Sequence, residues 1–275
     1  MQRGLKITTL SNSLDFRILD LLAQKDTSVH RTNPTAKLLT TLIFIVFVTS
    51  YNRYAILPLI PYFIFPITIL VMADLPTRVI LHKILLAAPF TLFVGILNPF
   101  FDSTPILQLG NIYITGGVVS FISIFLRMLL CVTASLLLIA TTPFHEICNS
   151  LRRLGIPKLF VIQLMLLHRY IFILTEEAAK LIQARSLRSF NGRGTELRYF
   201  IPMLGQLLLR SMDRAQRIHS AMLSRGFTGE IHLLKPCIIK NTDILFVAAW
   251  SAIFFLFHTG LPSNTIRRIG AFFLT

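Results

Sequence analysis

The sequence has no GxxxxGK[ST] phosphate loop and no HxxH or HExxH pair, which excludes nucleotide binding by that loop and zinc chemistry of that type. The seven histidines are scattered and read as packing or interface residues. The three cysteines, Cys131, Cys148 and Cys237, lack paired metal-binding spacing. Two of them lie in or near apolar runs, where a free thiol behaves as a small hydrophobe. Acidic residues are scarce, 12 Asp and Glu against 27 Lys and Arg, for a formal net charge of +15. Cations are also missing from one place: the segment 98–115 has no Lys or Arg at all. A signal peptide would put an apolar stretch directly after a short basic start. Residues 1–37 are instead mixed and polar, with Asp15, Asp20 and Asp26 among the basic residues, so the N-terminal segment is expected to be retained. No repeat or low-complexity segment stands out.

What the chain does have is apolar length. Of its 275 residues 54% are hydrophobic, against about 45–50% in a soluble domain, and its mean hydropathy is +0.69. The layout decides the class, because the apolar residues fall in near-continuous runs at 38–48, 56–71, 84–97, 118–140 and 244–257. A bilayer core takes a helix of about 20 mostly apolar residues whose backbone polar groups are satisfied internally. The run at 118–140 is long enough for that, whereas 38–48 must recruit Thr and Ser at its ends. The expected fold is an all-α, polytopic membrane helix bundle.

The chain divides accordingly. Residues 1–37 form an N-terminal segment in which Asn33-Pro34 precedes a helix start, a position where proline loses no needed hydrogen bond. Residues 38–142 hold four spans. The second, 55–72, contains Pro58, Pro61 and Pro66 and reads as a tolerated, broken or partly re-entrant helix. The third, 79–97, is kinked at Pro89, and 98–115 follows as an external loop. Arg127 lies inside the fourth span, where a charge is costly and must face the bundle or snorkel. Residues 241–275 hold a final span containing Trp250. A cytoplasmic N-terminus and five spans put the C-terminus outside, a placement that Arg267 and Arg268 mildly oppose.

Residues 143–240 differ from the rest, with 15 Lys or Arg against 6 Asp or Glu. Set beside the cation-free segment 98–115, that excess places 143–240 on the cytoplasmic side. Here 145–154 and 158–183 read as helices split by Gly155-Ile156-Pro157. The apolar stretch 159–167 is cut by His168 and Arg169 before it can span. Asn191-Gly192-Arg193-Gly194 reads as a flexible break. In the helix 199–224 Arg210, Arg214 and Arg217 recur at helical spacing, while Leu204, Leu207, Leu208 and Met212 supply an apolar side.

Two short segments combine an arginine with small residues where a helix is expected to stop: Ala184-Arg185-Ser186 and Ser224-Arg225-Gly226, the latter followed by Phe227. A guanidinium so placed can enter a partner's groove and bind carboxylates bidentately. It can equally snorkel to headgroups or match a helix C-terminal dipole.

These segments, with Asn33-Pro34-Thr35-Ala36-Lys37, Pro99-Phe100, Pro143-Phe144, Leu154-Gly155-Ile156-Pro157 and Arg169-Tyr170, resemble the transmembrane T component of an energy-coupling-factor transporter of the CbiQ, cobalt-transport type. The resemblance covers residues 26 to 229. It implies a non-catalytic scaffold in the cell membrane that needs no cofactor. Its implied partners are two cytoplasmic ABC-type ATPase subunits, a substrate-binding membrane subunit of CbiM-like kind and a small accessory membrane subunit. Two long cytoplasmic coupling helices would dock on the ATPases through Arg185 and Arg225. Ser186 stands where the family commonly has glycine, Ser224 where it has alanine, and Asn33 where it often has aspartate. Both serines are small, so docking is expected to survive.

Three other readings are weighed against this one. The first is a T component for nickel or a vitamin. The second is a membrane-bound enzyme using His145, Glu146, His168 and Glu176, which helical spacing does not gather. The third is a membrane-anchored nucleic-acid-binding protein, which would need an aromatic or base-reading surface beside its arginines; no such surface is evident, and no nucleic acid is expected as a partner.

Overall fold

A computed structural model describes residues 27, 29–30, 32–52, 54–96, 105–109, 112–188, 197–229 and 240–260. Residues 1–26, Pro99-Phe100, the break at 191–194, Cys237 and the Arg267-Arg268 pair lie outside the described residues. The described residues fall into two compact units, one within 18–147 and 237–275, the other within 148–236.

The first unit is the bundle of apolar helices. Its α1, Pro34–Ser50, starts four residues ahead of the expected span, with Pro34 in its first turn and Asn33 as N-cap. The Asn33 side chain accepts a 3.0 Å hydrogen bond from the Thr35 amide, satisfying one of the amides a helix start leaves unpaired. Thr40, Thr41 and Thr49 donate their hydroxyls to carbonyls four residues back, each at 2.8 Å. These bonds let polar side chains lengthen an apolar segment without an unsatisfied donor.

The three prolines of the second span leave it in two pieces. A 3₁₀ helix, Leu57–Phe63, runs directly into α2, Ile64–Met72. A 3₁₀ helix rises about 2.0 Å per residue against 1.5 Å for an α-helix, so the two pieces supply about 27 Å of rise. That is close to the bilayer core thickness from only 16 residues.

Next come α3, Thr77–Ile96, with Pro89 inside it, and α4, Gly116–Thr141. Between them lies an element the loop expectation lacked, an antiparallel hairpin of β1, Pro105–Leu109, and β2, Ile112–Thr115. The unit closes with α8, Asn241–Gly260. Within it α3 packs on α4, α1 on both α4 and α8, and α2 on α4.

The core is aromatic. Phe44, Tyr62, Phe65 and Phe254 are almost wholly buried. The Phe44 ring centroid lies 4.8 Å from Phe65 and 5.4 Å from Phe254. Trp250 meets Phe65 edge-on at 4.9 Å. Tyr62 donates its hydroxyl to the Phe254 carbonyl at 3.0 Å and Tyr51 to that of Phe257 at 3.2 Å, so both phenols are satisfied by the backbone of the last helix. Arg127 turns to the bundle, its guanidinium donating to the Asn52 carbonyl in the turn after α1.

A polar cluster ties three helix ends of this unit together. Lys37, 6% exposed, donates from Nζ to the Thr141 carbonyl at the end of α4 at 3.0 Å and to the His30 carbonyl at 3.3 Å. Asp243, also 6% exposed, accepts from the Lys240 amide at 2.9 Å and from the Asn33 amide at 3.2 Å. One carboxylate therefore bridges the N-termini of α8 and α1, where helix dipoles favour negative charge.

Candidate functional site

The second unit carries both arginine motifs. It is entered through α5, Phe144–Arg153, and built on α6, Lys158–Arg188, and α7, Leu197–Ser224. The α5–α6 connection is set by helix-end chemistry. The Ile156 amide bonds the Leu151 carbonyl at 3.2 Å and the Gly155 amide bonds that of Arg152 at 3.2 Å. Gly155 has φ +99°, the left-handed conformation such a helix end requires and glycine adopts freely.

The same device ends α7 and places Arg225. The Phe227 amide reaches the Met222 carbonyl at 3.0 Å, the Gly226 amide that of Leu223 at 2.9 Å, and Gly226 has φ +77°. Arg225 is thus the C-cap residue, and its neighbour is glycine because the chain turns left-handed there. Ser224, Arg225 and Gly226 are all exposed.

The first motif is placed differently. The sequence suggests that α6 stops at Ala184-Arg185-Ser186, but the helix continues to Arg188. Arg185 therefore lies within the last turn, and Ala184, Arg185 and Ser186 are all exposed. Both motif serines fold their hydroxyls onto their own helix: Ser186 donates to the Gln183 carbonyl at 2.8 Å and Ser224 to that of Ser220 at 3.0 Å. Each leaves a compact surface beside its arginine.

His168 and Arg169 do not interrupt α6. The His168 ring packs edge-on against Phe172 one turn along, at 5.3 Å. By length and composition α6 joins α4 and the segment Asn241–Thr259 as the three described helices apolar enough to cross a membrane. On α7, Ile201, Leu204, Leu208 and Met212 form an exposed apolar stripe, while Arg210, Arg214 and Arg217 lie on another side of the helix.

His145 and Glu146 are on α5, and His168 and Glu176 are on α6. Among the described residues no group of three or more His, Cys, Asp or Glu side chains is placed to hold a metal ion. Burial pushes the Cys148 thiol up to about 11, which keeps it protonated at neutral pH and unreactive.

Three described helices apolar enough to cross a membrane, α4 and α8 in the first unit and α6 in the second, define a polytopic membrane protein. The CbiQ cobalt transport protein family model matches residues 25–234. The chain belongs to this family, the transmembrane T components of energy-coupling-factor transporters, and is a non-catalytic transport subunit. It is 31% identical over 246 residues to an uncharacterized protein of Methanocaldococcus jannaschii, covering 83% of this chain and 87% of that one. It is 28% identical to the energy-coupling factor transporter transmembrane protein EcfT of Ruminiclostridium cellulolyticum, covering 73% of this chain and 80% of the relative. To the cobalt transport protein CbiQ of Salmonella typhimurium it is 29% identical, covering 54% and 71% respectively.

Proposed function

We propose that this chain is the scaffold and coupling subunit of an ATP-driven importer of cobalt. Its basic unit faces the cytoplasm and binds two ABC-type ATPase subunits through Arg185 and Arg225. The observation that carries the reading is the pair of exposed arginines, each flanked by small residues and each at the far end of a long helix. ATP binding closes the ATPase pair. That movement displaces α6 and α7, whose exposed apolar residues hold a CbiM-like substrate-binding membrane subunit, and the displacement reorients it. A small change between two packed arrangements is enough to drive such a transition.

Cobalt is supported by the family description and by relatives named for cobalt transport. A second reading, a T component for nickel or a vitamin, is supported by longer matches to relatives whose names carry no substrate. The membrane subunit that copurifies decides between them: a cobalt-binding one supports the first, a vitamin-binding one the second.

The sidedness has its own test. Single cysteines introduced at Asn191 and Asp102 are expected to label from opposite faces of the membrane, because the basic excess holds 158–224 in the cytoplasm. Labelling of both from one face would overturn the arrangement. Because both motif serines are back-bonded to their own helices, Ser186→Gly and Ser224→Ala are each expected to change stability by no more than about 0.5–1 kcal/mol. They should also leave ATPase copurification at the wild-type level. Loss of copurification in either would mean that the hydroxyl itself contacts the ATPase.

A further inference from the structure

Arg210, Arg214 and Arg217 of α7 are not explained by docking at Arg225, and two of them share a partner. Arg214 Nη2 lies 3.0 Å from Glu177 Oε2 of α6, and Arg210 Nη1 lies 3.8 Å from Glu177 Oε1. The Glu177 side chain is 17% exposed, against 38% for Arg214 and 57% for Arg210. A carboxylate this enclosed between two helices is oriented by its cations rather than by water. The two arginines are four residues apart, so they present guanidinium groups one helical turn apart on the same side of α7. Arg214 makes the closer contact and Arg210 the looser one.

The position of Glu177 along the helices matters as much as the pairing. At 1.5 Å per residue, Arg185 is about 12 Å beyond Glu177 and Arg225 about 16 Å beyond Arg214. In the other direction α6 extends about 28 Å to its start at Lys158, and α7 about 26 Å to its start at Leu197. A rotation about the ion pair therefore moves the far ends about twice as far as the arginine-bearing ends.

We propose that Glu177 is a positioning residue, the pivot on which α6 and α7 turn, and that Arg214 and Arg210 are its two alternative seats. A slide of α7 by less than one turn hands the carboxylate from Arg214 to Arg210 without stranding it, because both guanidinium groups already lie within reach of Glu177. This rests on the reading of α6 and α7 as coupling helices. Its magnitude follows from the exposure of the arginines: partly solvated pairs contribute little to stability, so the pin sets an angle rather than holding the fold together.

The test uses the full chain copurified with its ATPase and membrane partners, with spin labels at the exposed Gln163 of α6 and Gln206 of α7, on the long arms. In wild type the nucleotide-free distance distribution is expected to be narrow and to shift on ATP addition. Glu177→Gln should broaden it, changing the ratio of the populations within it by about twofold to fivefold with little loss of complex, the range expected for a partly exposed pair. Arg214→Ala should move the mean as Glu177 takes its second seat, while Arg210→Ala should leave the nucleotide-free mean unchanged but block the shift. The exchange Glu177→Arg with Arg214→Glu should restore the narrow distribution.

A Glu177→Gln distribution as narrow as wild type, or an exchange that rescues nothing, overturns the pivot. If instead the wild-type chain binds no ATPase, the coupling-helix reading falls, and the nucleotide-free distributions of the detergent-solubilised chain still judge the pivot by itself.

Discussion

Replacing both Arg185 and Arg225 by alanine is expected to abolish copurification of the ATPase subunits and the uptake they drive, with the chain still present in the membrane at wild-type abundance. Truncating one member of a desolvated, hydrogen-bonded charge pair costs about 2–5 kcal/mol. Two such losses weaken binding by about a thousandfold or more. An arginine that meets only headgroups or its own helix end is worth about 0–1 kcal/mol, and its loss would go unnoticed in the same assay.

The two single variants need not be equal. Arg185 sits within a helix that continues to Arg188, whereas Arg225 caps its helix and depends on a left-handed Gly226 behind it. Lysine should rescue either position poorly, since a point charge cannot reproduce a planar fork. Arg193→Ala serves as the control and should be mild. Wild-type copurification and transport by the double variant would remove both residues from the coupling contact. A fall in abundance alone would assign them to stabilising the helix ends.

The second large effect is expected at the other unit, from Asp243→Ala. This carboxylate accepts the amides of Asn33 and Lys240, and its removal leaves both donors without that acceptor at a position 6% exposed. Losing a buried hydrogen bond costs about 1–3 kcal/mol, and of the two donors only Asn33 is buried, Lys240 being exposed, so the variant should lose about 1–3 kcal/mol, read as a lower thermal midpoint of the detergent-solubilised chain. Asp243→Asn should recover only part, because an amide offers a single oxygen to two donors. Thr49→Ala is the matched control, since Thr49 is exposed and bonds only within its own helix. A midpoint for Asp243→Ala no lower than that of the control would show that α1 and α8 are held by aromatic packing alone.

Local signals in the sequence were legible where the physics was local. Asn33-Pro34 marks the start of α1 because both residue types act within one turn. The prolines at 58, 61 and 66 leave a tolerated, broken or partly re-entrant helix open, and the span takes the form of a 3₁₀ segment running into an α-helix. The strands Pro105–Leu109 and Ile112–Thr115 fall where a loop is expected, although Gly110-Asn111 stands between two β-prone runs of the sequence.

His168 and Arg169 imply an apolar stretch cut before it can span, yet the histidine ring finds an aromatic neighbour and by length and composition α6 is apolar enough to cross a membrane. Asp243 reads locally as no more than a polar flank. Its partnership with Asn33 joins residues 210 apart in the chain and has no local signature. The Glu177 pairing is equally invisible, because the arginine spacing shows a charged face but not what it faces.

The seat of α8 against α1 also fixes an order of events during synthesis. Phe44, Tyr62 and Phe65 belong to the first helices made, but the rings that cover them, Trp250 and Phe254, are translated nearly two hundred residues later. Until then the early helices present an open aromatic face, and the hydroxyls of Tyr51 and Tyr62 lack the backbone carbonyls they finally bond. The basic unit is thus made in full before the membrane unit can close around its last helix.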